Sequence, residues 1–192
     1  MRTRTDFNHR PALHGRVARR AAASALTGLV AGALIAPGTA PAAAGTGGVS
    51  TEPGGPTGKA KLRDGKAIPP TDAPARIVKA IEAANEIVKG KGYCLGGGHG
   101  KWKSKCYDCS GTVSYALHGG RMLDDPMPSG SFTKWGKRGK GDWLTVYPNS
   151  GHMYAVIAGL RLDTSMTAGP GPGWSKEMRS SKGYKKRHFR NY

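Results

Sequence analysis

The chain has 192 residues and a formal net charge of +18, from 30 lysines and arginines against 12 aspartates and glutamates. This length accommodates one domain of ordinary size together with flanking segments. A hydrophobic content of 38% and the lack of internal repeats exclude a multi-spanning membrane protein, a collagen and a long coiled coil. The charge indicates either an anionic partner or a solvated basic surface, and says nothing about the fold.

The first 44 residues have the three parts of a secretory signal peptide. Six arginines lie within the first 20 residues, an uncharged run follows over 21–36, and Ala42–Ala44 supplies small residues for cleavage. We therefore expect a secreted or cell-wall protein that meets the membrane only during export. An uncleaved anchor is the alternative, and Arg19-Arg20 leaves the Sec and twin-arginine routes both open. Removing six arginines and one aspartate with residues 1–44 would lower the net charge from +18 to +13.

A linker and a helix are predicted next. Residues 45–71 are rich in Gly, Thr, Pro and Lys, which is typical of a flexible linker. Apolar residues then recur at helical spacing from Ile77 to Val88, and Gly90 follows. The pattern predicts an amphipathic helix over 73–89.

The rest of the chain predicts a second helix followed by strands. A glycine-rich loop precedes that helix, and a Gly/Pro-rich loop is expected over 166–173. The helix is predicted over 110–118, and the strands over 143–147, 153–158, 160–164 and, more weakly, 186–190. Helices before an antiparallel sheet give an α+β fold class, in one domain over 72–192.

One cysteine and one histidine have the context of a catalytic pair. Cys109 lies in a D-C-S-G motif directly before the second helix, where the helix macrodipole favours the thiolate. His152 stands at the start of an apolar strand, as a base for a nucleophilic cysteine would need. If Gly159 forms a hairpin turn, the next strand returns Asp163 toward His152, where it could orient the imidazole.

These motifs resemble the NlpC-type (NlpC/p-sixty) cell-wall cysteine peptidases. The resemblance covers about residues 75–165 and rests on Tyr93, Gly96–Gly98, Asp108–Gly111 and Gly151-His152. It implies a papain-like core in which N-terminal helices pack on a small antiparallel sheet. It also implies cleavage of amide bonds in the stem peptides of peptidoglycan.

The resemblance assigns roles to individual residues. Cys109 is the nucleophile, His152 is the general base, and Asp163 takes an orienting position that the family often fills with histidine. Tyr93 and Ser110 are expected at the oxyanion and the cleft, where the backbone N–H of Cys109 would also donate.

The two remaining cysteines admit two interpretations. Cys94 and Cys106 lie twelve residues apart, and a disulfide between them is expected in an exported protein whose third cysteine is catalytic. The alternative is a zinc-binding module made by Cys94, His99, Cys106 and Cys109, but their order differs from that of a zinc knuckle.

The sequence thus predicts a secreted bacterial peptidoglycan endopeptidase with a Cys-His-polar triad and without a metal or organic cofactor. Its expected partners are peptidoglycan stem peptides and anionic wall polymers, not nucleic acid, and it is expected to be a monomer. The alternatives are a peptidoglycan amidase with the same Cys-His chemistry and a non-catalytic cationic wall-binding protein.

Overall fold

A computed structural model describes residues 58–166, 169–190 and 192 of the chain. The predicted signal peptide and the first part of the predicted linker lie outside the described residues. Within the described part, none of the helices combines the length and the apolar character that crossing a membrane requires.

A β-hairpin opens the described part of the chain. Its strands β1 (Lys61–Arg63) and β2 (Lys66–Ile68) are antiparallel, and both turn residues, Asp64-Gly65, have positive φ, as a tight hairpin turn requires. The backbone N–H and C=O of the buried Ala67 both bond to the side chain of Asn85. The prediction of a flexible linker is therefore wrong here, because a turn and one anchoring amide order a segment whose composition favours disorder.

Two helices follow and pack against each other. Helix α1 (Ala75–Ile87) buries its apolar stripe, and helix α2 (Cys109–Gly119) is buried along nearly its whole length. The helices approach so closely that a Cβ at Gly119 would lie 2.3 Å from the Cβ of Ala83. A single helical turn, α3 (Ser129–Phe132), comes after them. Both predicted helices are present.

The six strands that follow the hairpin form one antiparallel sheet, which confirms the α+β fold class. Its order is β3-β8-β4-β5-β6-β7, so the last strand in sequence lies between β3 and β4. The strand bounds are β3 (Lys137–Arg138), β4 (Leu144–Pro148), β5 (Met153–Ile157), β6 (Leu160–Met166), β7 (Gly169–Ser175) and β8 (Arg187–His188).

Strand β7 occupies most of the segment predicted to be a Gly/Pro-rich loop. It lies at the edge of the sheet, where a proline costs no inter-strand hydrogen bond on its open side. Trp174 pairs with Leu162 across the ladder, is buried, and donates its Nε1–H to the Asn85 side chain. The loop prediction is wrong because proline and glycine content does not exclude an edge strand that is anchored by one buried aromatic residue.

The main core lies between the helix pair and the sheet. Its fully buried side chains include Ile77 and Ile81 of α1, Leu117 of α2, and Leu144 and Leu162 of the sheet. Helix α2 packs against strands β5 and β6. This packing brings the N-terminus of α2 to the start of β5 and the middle of β6, the places of the three predicted catalytic residues.

Candidate active site

Cys109 is the first residue of helix α2 and is 8% exposed. The Asp108 side chain caps the helix by accepting the Gly111 backbone N–H at 2.7 Å. An aspartate is among the preferred residues at this position, because its oxygen satisfies a backbone donor that has no partner within the helix. The cap fixes the thiol at the positive end of the helix.

The glycine-rich loop packs directly on this helix start. The Asp108 backbone N–H donates to the Gly97 carbonyl at 3.1 Å, and the Asp108 carboxylate accepts the Gly96 N–H at 3.0 Å. A Cβ at Gly111 would lie 2.0 Å from the Gly97 carbonyl oxygen, closer than two such atoms can approach. The glycine of the D-C-S-G motif is therefore required by the contact between the loop and the helix.

Gly111→Ala should destabilise the protein by about 2 kcal/mol or more, because the new methyl group overpacks against the backbone. The measurement is chemical denaturation of the wild type and the variant. The matched control is Gly130→Ala, whose Cβ would meet nothing within 4 Å. We expect the control to stay within about 0.5 kcal/mol of the wild type. Equal stability of the two variants would contradict the contact.

His152 lies between the thiol and a carboxylate. Its Nε2 is 2.9 Å from Oδ1 of Asp163, and its backbone N–H donates to Asn149 Oδ1. The hydrogen bond with Asp163, followed by one with Cys109, raises the pKa of His152 to about 9, although burial acts in the opposite direction. Because Asp163 engages Nε2, the ring nitrogen left for the thiol is Nδ1.

Asp163 is fully buried in β6, with a side chain surrounded by donors. Its Oδ1 also accepts the Thr164 and Ser165 backbone N–H groups, and its Oδ2 accepts Arg179 Nη1 at 2.9 Å. The β6–β7 register shifts between Asp163 and Ser165, where these N–H groups bond to the carboxylate. Burial alone would raise the pKa of Asp163, but the hydrogen bonds from His152, Ser165 and Arg179 outweigh it and lower the pKa to about 2.

Arg179 belongs to the site but was missed in the sequence. It lies sixteen residues beyond Asp163, in the segment after β7, and no motif marks it. Its guanidinium carbon is 5.5 Å from the ring centroid of Tyr154 and 5.6 Å from that of Tyr184. Two aromatic faces thus hold the cation against the carboxylate. Arg179 could have been anticipated from one consideration: a buried carboxylate such as Asp163 requires a cation beside it.

Arg179→Met should raise the pKa of Asp163, because one of the hydrogen bonds that lower it is lost. The carboxylate contributes stability that is present above its ordinary pKa and is lost as the pH falls through its folded-state value. The acid side of the melting-temperature profile should therefore move to higher pH.

The measurement is thermal unfolding between pH 2 and pH 7. Arg63→Met, which removes the same charge from the exposed hairpin, is the matched control and should leave the shape of the profile unchanged. A coincident acid limb in Arg179→Met and Arg63→Met would contradict the role of Arg179.

Tyr93 and Ser110 differ in how they relate to the nucleophile. Tyr93 is 45% exposed; its partial burial raises the pKa of the phenol, and the charges of Cys109 and Asp108 raise it further. The Ser110 hydroxyl instead donates to Asp108 at 3.1 Å and lies 3.0 Å from His99 Nε2. Its side chain therefore belongs to a hydrogen-bond network between the glycine-rich loop and the start of α2. Only its backbone N–H, at the N-terminus of α2, is suited to the oxyanion.

Cys94 and Cys106 are joined in a disulfide, with their Cα atoms 5.6 Å apart. The bridge closes the glycine-rich loop before the nucleophile and leaves Cys109 as the free thiol. The zinc alternative loses two of its four ligands to this bond. Among the described residues, no three His, Cys, Asp or Glu side chains are grouped as a metal site would need.

The fold has counterparts among solved structures, although no protein-family model and no curated protein matches the chain. The P60 domain of an antigen from M. avium subspecies paratuberculosis is 22% identical, with a TM-score of 0.42 over 58% of this chain and 93% of that one. A variant of the Resuscitation Promoting Factor Interacting protein RipA is 20% identical, with a TM-score of 0.47 over 72% and 71%. The peptidoglycan hydrolase RipB from Mycobacterium tuberculosis is 22% identical, with a TM-score of 0.46 over 65% and 70%. At these identities the likeness concerns the fold alone.

Proposed function

We propose that the protein is an exported peptidoglycan hydrolase, a cysteine endopeptidase that cleaves amide bonds in cell-wall stem peptides. The observation that carries the proposal is the line of three side chains from Cys109 through His152 to Asp163. A nucleophile, a base and a group that orients the base are the parts that covalent amide hydrolysis needs.

The resting site would hold His152 as an imidazolium. Because the pKa of His152 is raised to about 9, the ring keeps its proton at neutral pH. The buried Asp163 keeps the imidazolium in place by accepting a hydrogen bond from its Nε2–H.

The reaction begins when the Cys109 thiolate attacks the amide carbonyl carbon. A C–S bond forms, and the carbonyl electron pair moves onto oxygen, to which the Cys109 N–H and the Tyr93 hydroxyl would donate. His152 then protonates the leaving nitrogen as the C–N bond breaks. In the second half, His152 takes a proton from water as the water attacks the thioester, and the thiolate leaves.

The substrate class rests on the resemblance of the motifs and on the predicted signal peptide. Stem peptides lie outside the cytoplasmic membrane, where a protein exported by that peptide would meet them. The mature charge of +13 also suits a matrix of anionic polymers. The peptidoglycan hydrolase RipB is among the solved structures of similar fold.

The test is digestion of purified peptidoglycan by the protein, beside Cys109→Ala, with the products identified by mass spectrometry. We expect new termini within the stem peptides from the wild type and none from the variant. Release of intact stem peptides from the glycan would replace the endopeptidase with an amidase. Binding to the wall without any product, from folded and reduced protein on several wall types, would leave the non-catalytic wall-binding protein.

A further inference from the structure

One edge of the sheet carries a dense group of positive charges, which we call the basic edge. It is made by the strand pair β3–β8 and by the segments that lead into and out of these strands. Within 134–140 and 182–190 there is no acidic residue. Eight of its nine cations are exposed and Arg187 is half-buried; the set is Lys134, Lys137, Arg138, Lys140, Lys182, Lys185, Lys186, Arg187 and Arg190.

The fold brings the two basic segments together through the backbone. Strands β3 and β8 pair antiparallel, and the Gly139 N–H donates to the Lys186 carbonyl at 3.0 Å. The Cβ of a side chain at Gly136 would lie 2.2 Å from the His188 carbonyl oxygen, which shows how closely the segments approach. The two runs of charge therefore lie beside each other at one edge of the sheet.

This arrangement carries an electrostatic cost. Arg138 and Arg187 are paired directly across the ladder, and like charges at such positions destabilise a sheet. The Nε of Arg187 is also buried without a hydrogen-bond partner in the described part of the chain. An anion bound between the two guanidinium groups would relieve the repulsion.

The basic edge starts at the rim of the candidate active site. The Tyr184 ring contacts that of His152, with centroids 6.5 Å apart, and the next residue, Lys185, bonds through its N–H to Pro148 at the end of β4. From there the chain runs into β8, away from the site.

The aromatic ring of Phe189, beside the basic edge, is already in contact with other side chains. Phe189 is stacked between Trp135 and Tyr192, with centroids 6.1 and 6.2 Å away, and the guanidinium groups of Arg76 and Arg190 lie over its ring. Proteins that hold single-stranded nucleic acid use free aromatic faces on which bases stack. The surface therefore favours contacts to backbone anions over contacts to bases.

We infer that the basic edge binds a linear phosphate-bearing polymer through its phosphates, and so holds the protein on an anionic matrix beside its active site. The planar forks of its arginines bind phosphate oxygens in pairs, and they bind carboxylates in the same way, so polyglutamate is the competing ligand in the test. The binding is independent of the proposed hydrolysis, since it uses no residue of the Cys109–His152–Asp163 line.

The experiment measures binding of the full chain to inorganic polyphosphate at several salt concentrations. The edge variant replaces four exposed residues: Lys137→Gln, Arg138→Gln, Lys185→Gln and Lys186→Gln. The matched control removes the same charge from around the β1–β2 hairpin: Lys59→Gln, Lys61→Gln, Arg63→Gln and Lys66→Gln. Thermal unfolding shows whether each variant is folded.

We expect the edge variant to bind at least about tenfold more weakly, and its log Kd against log salt to lose a slope of about 3, as the loss of four phosphate contacts implies. The control should stay within about twofold of the wild type. Cys109→Ala should bind like the wild type, so failure of the proposed hydrolysis would leave this result intact.

Three outcomes would overturn the inference. Equal weakening in the edge variant and the control would mean that net charge alone drives binding. Polyglutamate binding as tight as polyphosphate would remove the preference for phosphate. Single-stranded DNA binding more tightly than polyphosphate at equal charge would show that bases contribute and would make nucleic acid the partner.

Discussion

Cys109→Ala should reduce peptidoglycan hydrolysis by about 10⁴-fold or more, and adding His152→Ala to it should cause no further loss. The two side chains act as one unit in the proposed reaction, because His152 has no thiolate to serve once Cys109 is gone. Residues that act as a unit show such non-additive losses. The measurement is the rate of release of stem-peptide fragments by the wild type, both single variants and the double variant.

The control removes the other two cysteines. A Cys94→Ser, Cys106→Ser variant opens the disulfide and loosens the loop, but it keeps the nucleophile and should retain at least about a tenth of the activity. Losses that multiply in the double variant Cys109→Ala, His152→Ala would contradict a shared role. Hydrolysis at the wild-type rate by Cys109→Ala would refute the proposed nucleophile.

Asp163→Asn should lower activity about 10³-fold and stability by about 3 kcal/mol. An amide in this position fails in either orientation, since its NH₂ group would face a donor, either His152 or Arg179. Replacing the carboxylate also leaves the half-buried Arg179 guanidinium without its anion, which is destabilising. Because the hydrogen bond with Asp163 is the main cause of the raised pKa of His152, that pKa should fall toward its ordinary value of 6.5.

The measurements are a histidine NMR titration and the melting temperature as a function of pH. The raised pKa of His152 gives stability that is complete below 6.5 and lost as the pH rises through about 9. The lowered pKa of Asp163 gives stability that is complete above 3.8 and lost as the pH falls through about 2. The gap between the wild type and the variant should thus be widest between pH 3.8 and 6.5.

The matched control is Asp64→Asn, at an exposed turn residue with a φ of 50°, a conformation that asparagine tolerates well. It should leave activity, melting profile and the titration of His152 unchanged. A titration of His152 that stays near pH 9 in Asp163→Asn would mean that the carboxylate does not set its protonation.

The three predicted catalytic residues, Cys109, His152 and Asp163, can be recognised in the sequence because the motifs that mark them are short. Asp108 and Gly111 flank the thiol within one helical turn, and the turn at Gly159 brings Asp163 back beside His152 by register alone. The structure adds that Ala158 shares the turn with a positive φ of 45°. Patterns of this kind predict local structure well, since each depends on residues a few positions apart.

The parts that could not be predicted depend on contacts between distant segments. Asn85 of α1 anchors both Ala67 of the hairpin and Trp174 of β7, and so orders two segments that composition alone marks as irregular. Arg179 reaches Asp163 from the far side of β7. No periodicity or spacing encodes such pairs, because tertiary packing decides them.

The shifted register in β6 has a consequence for which residue can stand at position 163. Two peptide N–H groups and the guanidinium groups of Arg161 and Arg179 converge there, and the two N–H groups form a small anion nest. A neutral imidazole has only one acceptor nitrogen for these donors, and its own N–H would face one of them without an acceptor. The family that these motifs resemble often has histidine at this position. In this protein histidine could not replace Asp163, because the surrounding donors require a carboxylate.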